Sequence, residues 1–95
     1  MITYHTQSKE IYWNFQNYAP AKAKDIAKTF ADISGYSVAE VPYTSSFAGY
    51  KDWFLQKYQK PAFTIEAGIG ENPLPISQFD KIYSDNLGIL VLGAL

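Results

Sequence analysis

His5, Tyr43 and Glu66 are the side chains whose types and settings suit a single piece of chemistry. Glu66 follows a β-like run over residues 62–65, and Gly68, Gly70 and the stiff segment Glu71-Asn72-Pro73-Leu74-Pro75 come after it. In open α/β sheets ligands gather outside the carboxyl ends of strands. A carboxylate there, beside a glycine-rich loop, is a site candidate. His5 is the one histidine and falls where a first strand should end, and Tyr43 lies in the hydroxyl-rich loop over residues 42–49. Together the three suit metal-assisted hydrolysis. An imidazole binds zinc, a carboxylate takes a proton from water, and a phenol hydrogen-bonds the substrate. Plainer readings stand beside this one. Glu66 could be a solvated strand-end carboxylate, His5 a strand-end residue with one hydrogen bond, and Tyr43 one of 8 tyrosines. With no second histidine the chain has no HxxE or HxxH pair.

The elements that must position these residues form one small domain, residues 1–95. A chain of this size buries roughly two-thirds of its unfolded surface. Residues 1–4 and 10–15 read as strands. Residues 21–34 read as a helix with Ala23, Ile26, Ala27, Phe30 and Ile33 on one face and Gly35 as its stop. Residues 36–41 read as a third strand. Tyr50–Tyr58 reads as a short helix with Tyr50, Trp53, Phe54 and Tyr58 turned inward. After the Glu66 strand, Ser77-Gln78-Phe79-Asp80 has the form of an acidic capping box. It opens a last helix through Phe79, Ile82, Tyr83, Leu87 and Leu90, in which Gly88 costs about 1 kcal/mol. The expected class is α/β: a small, mostly parallel or mixed sheet of about four strands covered by about three helices.

Composition narrows the partners. The hydrophobic fraction is 47%, the charged fraction 18% and the net charge −1, so nothing electrostatic points to nucleic acid or an anionic membrane. All 8 cationic residues are lysines, and bidentate recognition of a carboxylate is normally an arginine task. Without cysteine there are no disulfides or thiolate ligands. Met1 leads directly into a β-like run with no signal-peptide pattern, which makes the cytoplasm the default expectation. The apolar run over residues 87–95 is too short to span a bilayer; a free helix end of that kind is expected to be buried against something.

Tyr4-His5-Thr6-Gln7, Ser45-Ser46-Phe47-Ala48-Gly49-Tyr50-Lys51-Asp52-Trp53 and Phe63-Thr64-Ile65-Glu66-Ala67-Gly68 come in the order and spacing of the C-terminal half of zinc carboxypeptidases. Glu71-Asn72-Pro73-Leu74-Pro75 and Ser77-Gln78-Phe79-Asp80 resemble the bacterial branch related to γ-D-glutamyl-diaminopimelate peptidases, which trims peptidoglycan stem peptides. The resemblance covers nearly the whole chain. It implies half of a zinc carboxypeptidase-like domain, with His5 as the third zinc ligand and Glu66 as general base and acid. Tyr43 would be the mobile tyrosine over the substrate, in a loop one residue longer than in digestive relatives. Lys51 stands where relatives place a specificity residue. A cation there would suit an acidic group such as a diaminopimelate carboxylate, the alternative being a solvated helix lysine.

The departures from that pattern matter as much. The family's HxxE ligands and its arginines belong to an N-terminal half that has no counterpart here. Ser8 stands where a glycine is common, and Ala67 where a leucine is common. A catalytic zinc needs three protein ligands, so the resemblance implies zinc in an intact enzyme but none bound by this chain alone, and no catalysis by it alone. Two classes of function follow. In one the chain is half of a peptidase whose other half supplies the remaining ligands. In the other it is a non-catalytic module that binds peptide or cell-wall fragments. The implied partners are a peptide substrate, the missing N-terminal half, and a second copy meeting the exposed sheet edge.

Overall fold

The computed structural model describes residues 1–14, 20–40 and 49–94. Along the chain come β1 (Ile2–His5), β2 (Glu10–Tyr12), α1 (Ala23–Ser34), β3 (Ser37–Ala39), α2 (Tyr50–Tyr58), β4 (Phe63–Glu66) and α3 (Phe79–Gly93), the last preceded by a 3-10 turn, Ile76–Gln78. The strands form one sheet in the order β1-β4-β2-β3. β1 runs parallel to β4 and β2 parallel to β3, while β2 and β4 are antiparallel. The α/β class expected from the sequence is therefore the class observed, with a mixed sheet of four strands and three helices.

Alternation sorts the strand residues to two faces. Ile11, Phe63 and Ile65 are buried and pack with Phe30, Ala27 and Ile89 from α1 and α3. Phe30 meets Phe63 edge-on, with ring centroids 5.1 Å apart. The opposite face carries Thr3, His5, Thr64, Glu66, Glu10 and Tyr12, placed at matching positions by the strand register. α1 follows its sequence periodicity at Ala23, Ala27 and Phe30, which are buried, whereas Ile33, expected on the same face, is 43% exposed; Gly35 ends the helix in a left-handed conformation, its N–H donating to the Ala31 carbonyl at 2.9 Å. Gly88 lets α3 lie close to α1, since a Cβ there would sit 3.1 Å from Ile33 Cδ1. That close approach is what the helix receives for its weak residue.

One helix is turned differently from the expected orientation, and another, apolar on most sides, takes its orientation from the fold. In α2 the buried residues are Lys51, Asp52 and Leu55, while Tyr50, Trp53 and Tyr58 are 62%, 45% and 47% exposed. The rings satisfy one another instead of filling the core: Trp53 lies 5.5 Å from Tyr50 and 5.7 Å from Tyr58, and the Lys57 ammonium sits over Trp53. In α3 the inward stripe is Ile82, Asn86 and Ile89, and Phe79, Tyr83, Leu87 and Leu90 are exposed. Asn86 earns its inward place through polar contacts, its amide donating to Tyr36 Oη at 3.0 Å and to the Ile82 carbonyl at 2.9 Å. The expected capping box does not form. Ser77 is inside the 3-10 turn, and Gln78 precedes α3 without a side-chain cap. Val41, Phe15 and the loop carrying Tyr43 lie outside the described residues.

Candidate functional site

The parallel pairing of β1 with β4 sets the site. Its register places His5 opposite Glu66 at the carboxyl ends of both strands, and His5 Nδ1 lies 3.7 Å from Glu66 Oε1. That is an electrostatic approach rather than a hydrogen bond. The His5 side chain is 64% exposed and that of Glu66 17%, so the imidazole is open to a partner while the carboxylate is largely shielded. Below them Thr3 Oγ1 and Thr64 Oγ1 are 3.0 Å apart, a polar cross-strand pair that ties the same face together.

A third group belongs to this arrangement and was not singled out from the sequence. β2 runs antiparallel past β4 and sets Glu10 opposite Glu66 on the other side from His5. Burial raises the Glu66 pKa above the ordinary carboxylate value; His5 lowers it and Glu10 raises it, with the net direction upward. Tyr12, two residues further along β2, has its phenol pushed up by burial, by the charges of Glu10 and Glu66, and by a hydrogen bond with Glu10. The only sequence signal for Glu10 is its position opening a strand after a turn. Which strand it would meet depends on the antiparallel pairing, and that is a tertiary fact.

The chain beyond Glu66 is fastened rather than loose. Ala67 N donates to the His5 carbonyl at 2.8 Å and Ser8 N to the Gly68 carbonyl at 2.9 Å. Asn72 and Thr6 exchange two hydrogen bonds, at 2.7 and 3.0 Å. The Gln78 amide holds both polar groups of Ile69, at 3.1 and 2.7 Å. Gly68 is required by this closure. Its φ is +83°, and an added Cβ would come within 2.4 Å of Leu74 Cδ1 and 3.0 Å of Ile82 Cδ1. Gly68→Ala is expected to destabilise the fold by about 2 kcal/mol or more, from backbone strain plus overpacking, read as a lower midpoint in urea unfolding. Ser8 has the opposite problem. Its φ is 116°, a value that disfavours any side chain, at the position where the family resemblance has glycine. Ser8→Gly is expected to raise the thermal midpoint by a few degrees, the relief of about 1 kcal/mol of strain outweighing the exposed Ser8–Glu10 hydrogen bond of 2.9 Å.

The remaining sequence candidates fall elsewhere. Lys51 is buried, not solvated, its ammonium bonded to the Asn14 carbonyl and to Asp52. Tyr43 lies outside the described residues. Among the described residues no three His, Asp or Glu side chains gather in a way that could hold a metal ion. His5, Glu66 and Glu10 thus do not fit zinc by themselves. What they can do is hold a carboxylate of raised proton affinity beside an accessible imidazole at a strand end.

No protein-family model matches the chain. Over 93 residues it is 45% identical to gamma-D-glutamyl-L-diamino acid endopeptidase 1 of Lysinibacillus sphaericus, an alignment covering 98% of this chain and 23% of that protein. Over 90 residues it is 40% identical to the uncharacterized protein YqgT of Bacillus subtilis, covering 95% of this chain and 24% of the relative. The chain therefore spans about a quarter of the length of the curated relatives it matches, and it is similar over nearly all of itself to part of a gamma-D-glutamyl-L-diamino acid endopeptidase and to part of an uncharacterized protein.

Proposed function

We propose that this chain forms part of the hydrolytic site of a zinc carboxypeptidase-like peptidase acting on peptidoglycan stem peptides of the γ-D-glutamyl-diaminopimelate type. The observation that carries the reading is the pairing of His5 with Glu66 at the carboxyl ends of adjacent parallel strands, in a chain 45% identical to an endopeptidase for γ-D-glutamyl-L-diamino acid bonds. Glu66 is the general base that takes a proton from the attacking water and the acid that returns it to the leaving amine. Its raised proton affinity suits both halves of that task. His5 presents an exposed nitrogen for a metal whose other ligands come from a preceding segment of a longer protein. The described residues do not complete that site. Tyr43 is assigned to cover the substrate. Lys51 keeps a third N–H beyond those on Asp52 and the Asn14 carbonyl, but it is buried, so it meets an acidic substrate group only if α2 shifts to uncover it.

Calorimetry with zinc, together with a hydrolysis assay on a γ-D-glutamyl-diaminopimelate peptide, tests the reading. The isolated chain is expected to show neither tight zinc binding nor turnover, and the chain joined to the preceding part of a longer protein is expected to show both. Absence of zinc binding and turnover in the joined protein would leave only the peptide-binding module.

The same reading proposes self-association of the isolated chain. Among the described residues β1 pairs on one side only, and α3 exposes Phe79, Tyr83, Leu87, Leu90 and Val91. An open strand edge and an apolar stripe both invite a second copy. Sedimentation at high micromolar concentration is expected to show dimers or larger species; a clean monomer would count against it. No described helix is long and apolar enough to cross a membrane.

A further inference from the structure

Behind the loop that follows Glu66, on the helix-covered side of the sheet, lies a cavity of about 290 Å³. Its walls include Lys9, Ile69, Gln78, Lys81, Ile82 and Asp85. Glu66 is on the other face, since it alternates with the buried Ile65, so this cavity is not part of the hydrolytic arrangement. The volume sits near the low end of small-molecule sites, roughly 300–1,000 Å³, with room for a molecule the size of an amino acid.

The charges on its walls are specific. Lys9 is half-buried and makes no ion pair among the described residues. A partly desolvated cation without a counter-charge favours an anionic ligand. The Asp85 side chain is only 9% exposed and uses one oxygen, Oδ1, for the well-exposed Lys81. A carboxylate has further lone pairs to offer a cation. Ile69 and Ile82 supply apolar wall, and both polar backbone groups of Ile69 are already taken by the Gln78 amide. The wall is therefore fixed before a ligand arrives, which lowers the ordering cost of binding. A dianion would meet the Asp85 carboxylate; a zwitterion can set its carboxylate at Lys9 and its ammonium at the Asp85 oxygen that Lys81 does not use, the well-exposed Lys81 being free to turn toward solvent.

We propose that this cavity is a second binding site, for a free amino acid or an amino-acid-sized zwitterion, whose carboxylate pairs with Lys9 and whose ammonium reaches Asp85. The site does not depend on the hydrolytic reading, and its test involves no turnover.

The test is a nitrogen-15 NMR titration of the full chain with L-alanine, acetate, ethylammonium and inorganic phosphate at constant ionic strength. Saturable shifts at Lys9, Ile69, Gln78 and Lys81 with alanine are expected, with acetate and ethylammonium each at least tenfold weaker. Lys9→Asn removes the cation at a position whose φ of 53° asparagine accepts; it is expected to weaken alanine binding at least tenfold. Asp85→Asn is expected to reduce the preference for alanine over acetate. Acetate or phosphate binding as well as alanine, shifts confined to the Glu66 face, no saturable shifts in the tens of millimolar, or unchanged binding by a folded Lys9→Asn would each overturn the proposal.

Discussion

Glu66→Gln is expected to lower peptide hydrolysis by about 10²–10⁴-fold, in a protein where this chain is joined to the rest of its site, while leaving zinc binding intact. The amide keeps the size of the side chain and one acceptor oxygen but cannot take a proton at neutral pH. His5→Ala should give the other pattern, weakened zinc affinity with activity lost as a consequence. Equal loss of metal binding in both variants would sink the division of labour between base and ligand. The direction of the Glu66 shift adds a pH signature. Its pKa in the isolated chain is raised, first by burial, and the signature is read in stability. A carboxylate with raised folded-state pKa contributes favourably below its unfolded pKa, and that contribution is lost as pH rises through the folded value. At neutral pH the ionised Glu66 is therefore a burden, and Glu66→Gln should raise the thermal midpoint of the isolated chain. The gain should shrink as pH falls below the usual carboxylate range. A gain that is the same at both ends would show that packing, not ionisation, is its source.

The contrast between activity and stability at Glu66 follows from where the sheet puts it, and much of that was readable beforehand. The β-run before Glu66, the strand ending at His5 and the amphipathic α1 are local patterns, and the fold uses them as written. Parallel strands joined by crossovers bring carboxyl ends to one edge, which is how residues about sixty apart in sequence become neighbours. Glu10 was not legible, because its proximity to Glu66 depends on β2 running antiparallel beside β4. The faces of α2 and α3 were not legible for a different reason. Aromatic and aliphatic residues on most sides of a helix carry little phase information. In α3 the inward direction is fixed by an asparagine that finds Tyr36. In α2 it is fixed by an ion pair that a hydrophobicity count reads as surface.

That ion pair is the place where a single substitution should cost the isolated chain most. Lys51 and Asp52 are 5% and 7% exposed, and the Lys51 ammonium holds both Asp52 and the carbonyl of Asn14, which lies two residues beyond β2. Lys51→Ala would leave the Asp52 carboxylate buried without its cation and the Asn14 carbonyl without this donor. Breaking a buried pair from one side typically costs about 3–5 kcal/mol, against a total stability of roughly 5–15 kcal/mol for a domain. The expected result in urea is a midpoint lowered by a large fraction of its value, with α2 losing amide protection first. Replacing both partners by apolar residues of similar volume, Lys51→Met with Asp52→Leu, removes the charges together. That double variant should recover most of the loss, because the cost lies in an unpaired buried charge rather than in the absence of an attraction. A Lys51→Ala chain as stable as the original would mean that Asp52 reaches water once its partner is gone, and that α2 is held by Leu55 alone.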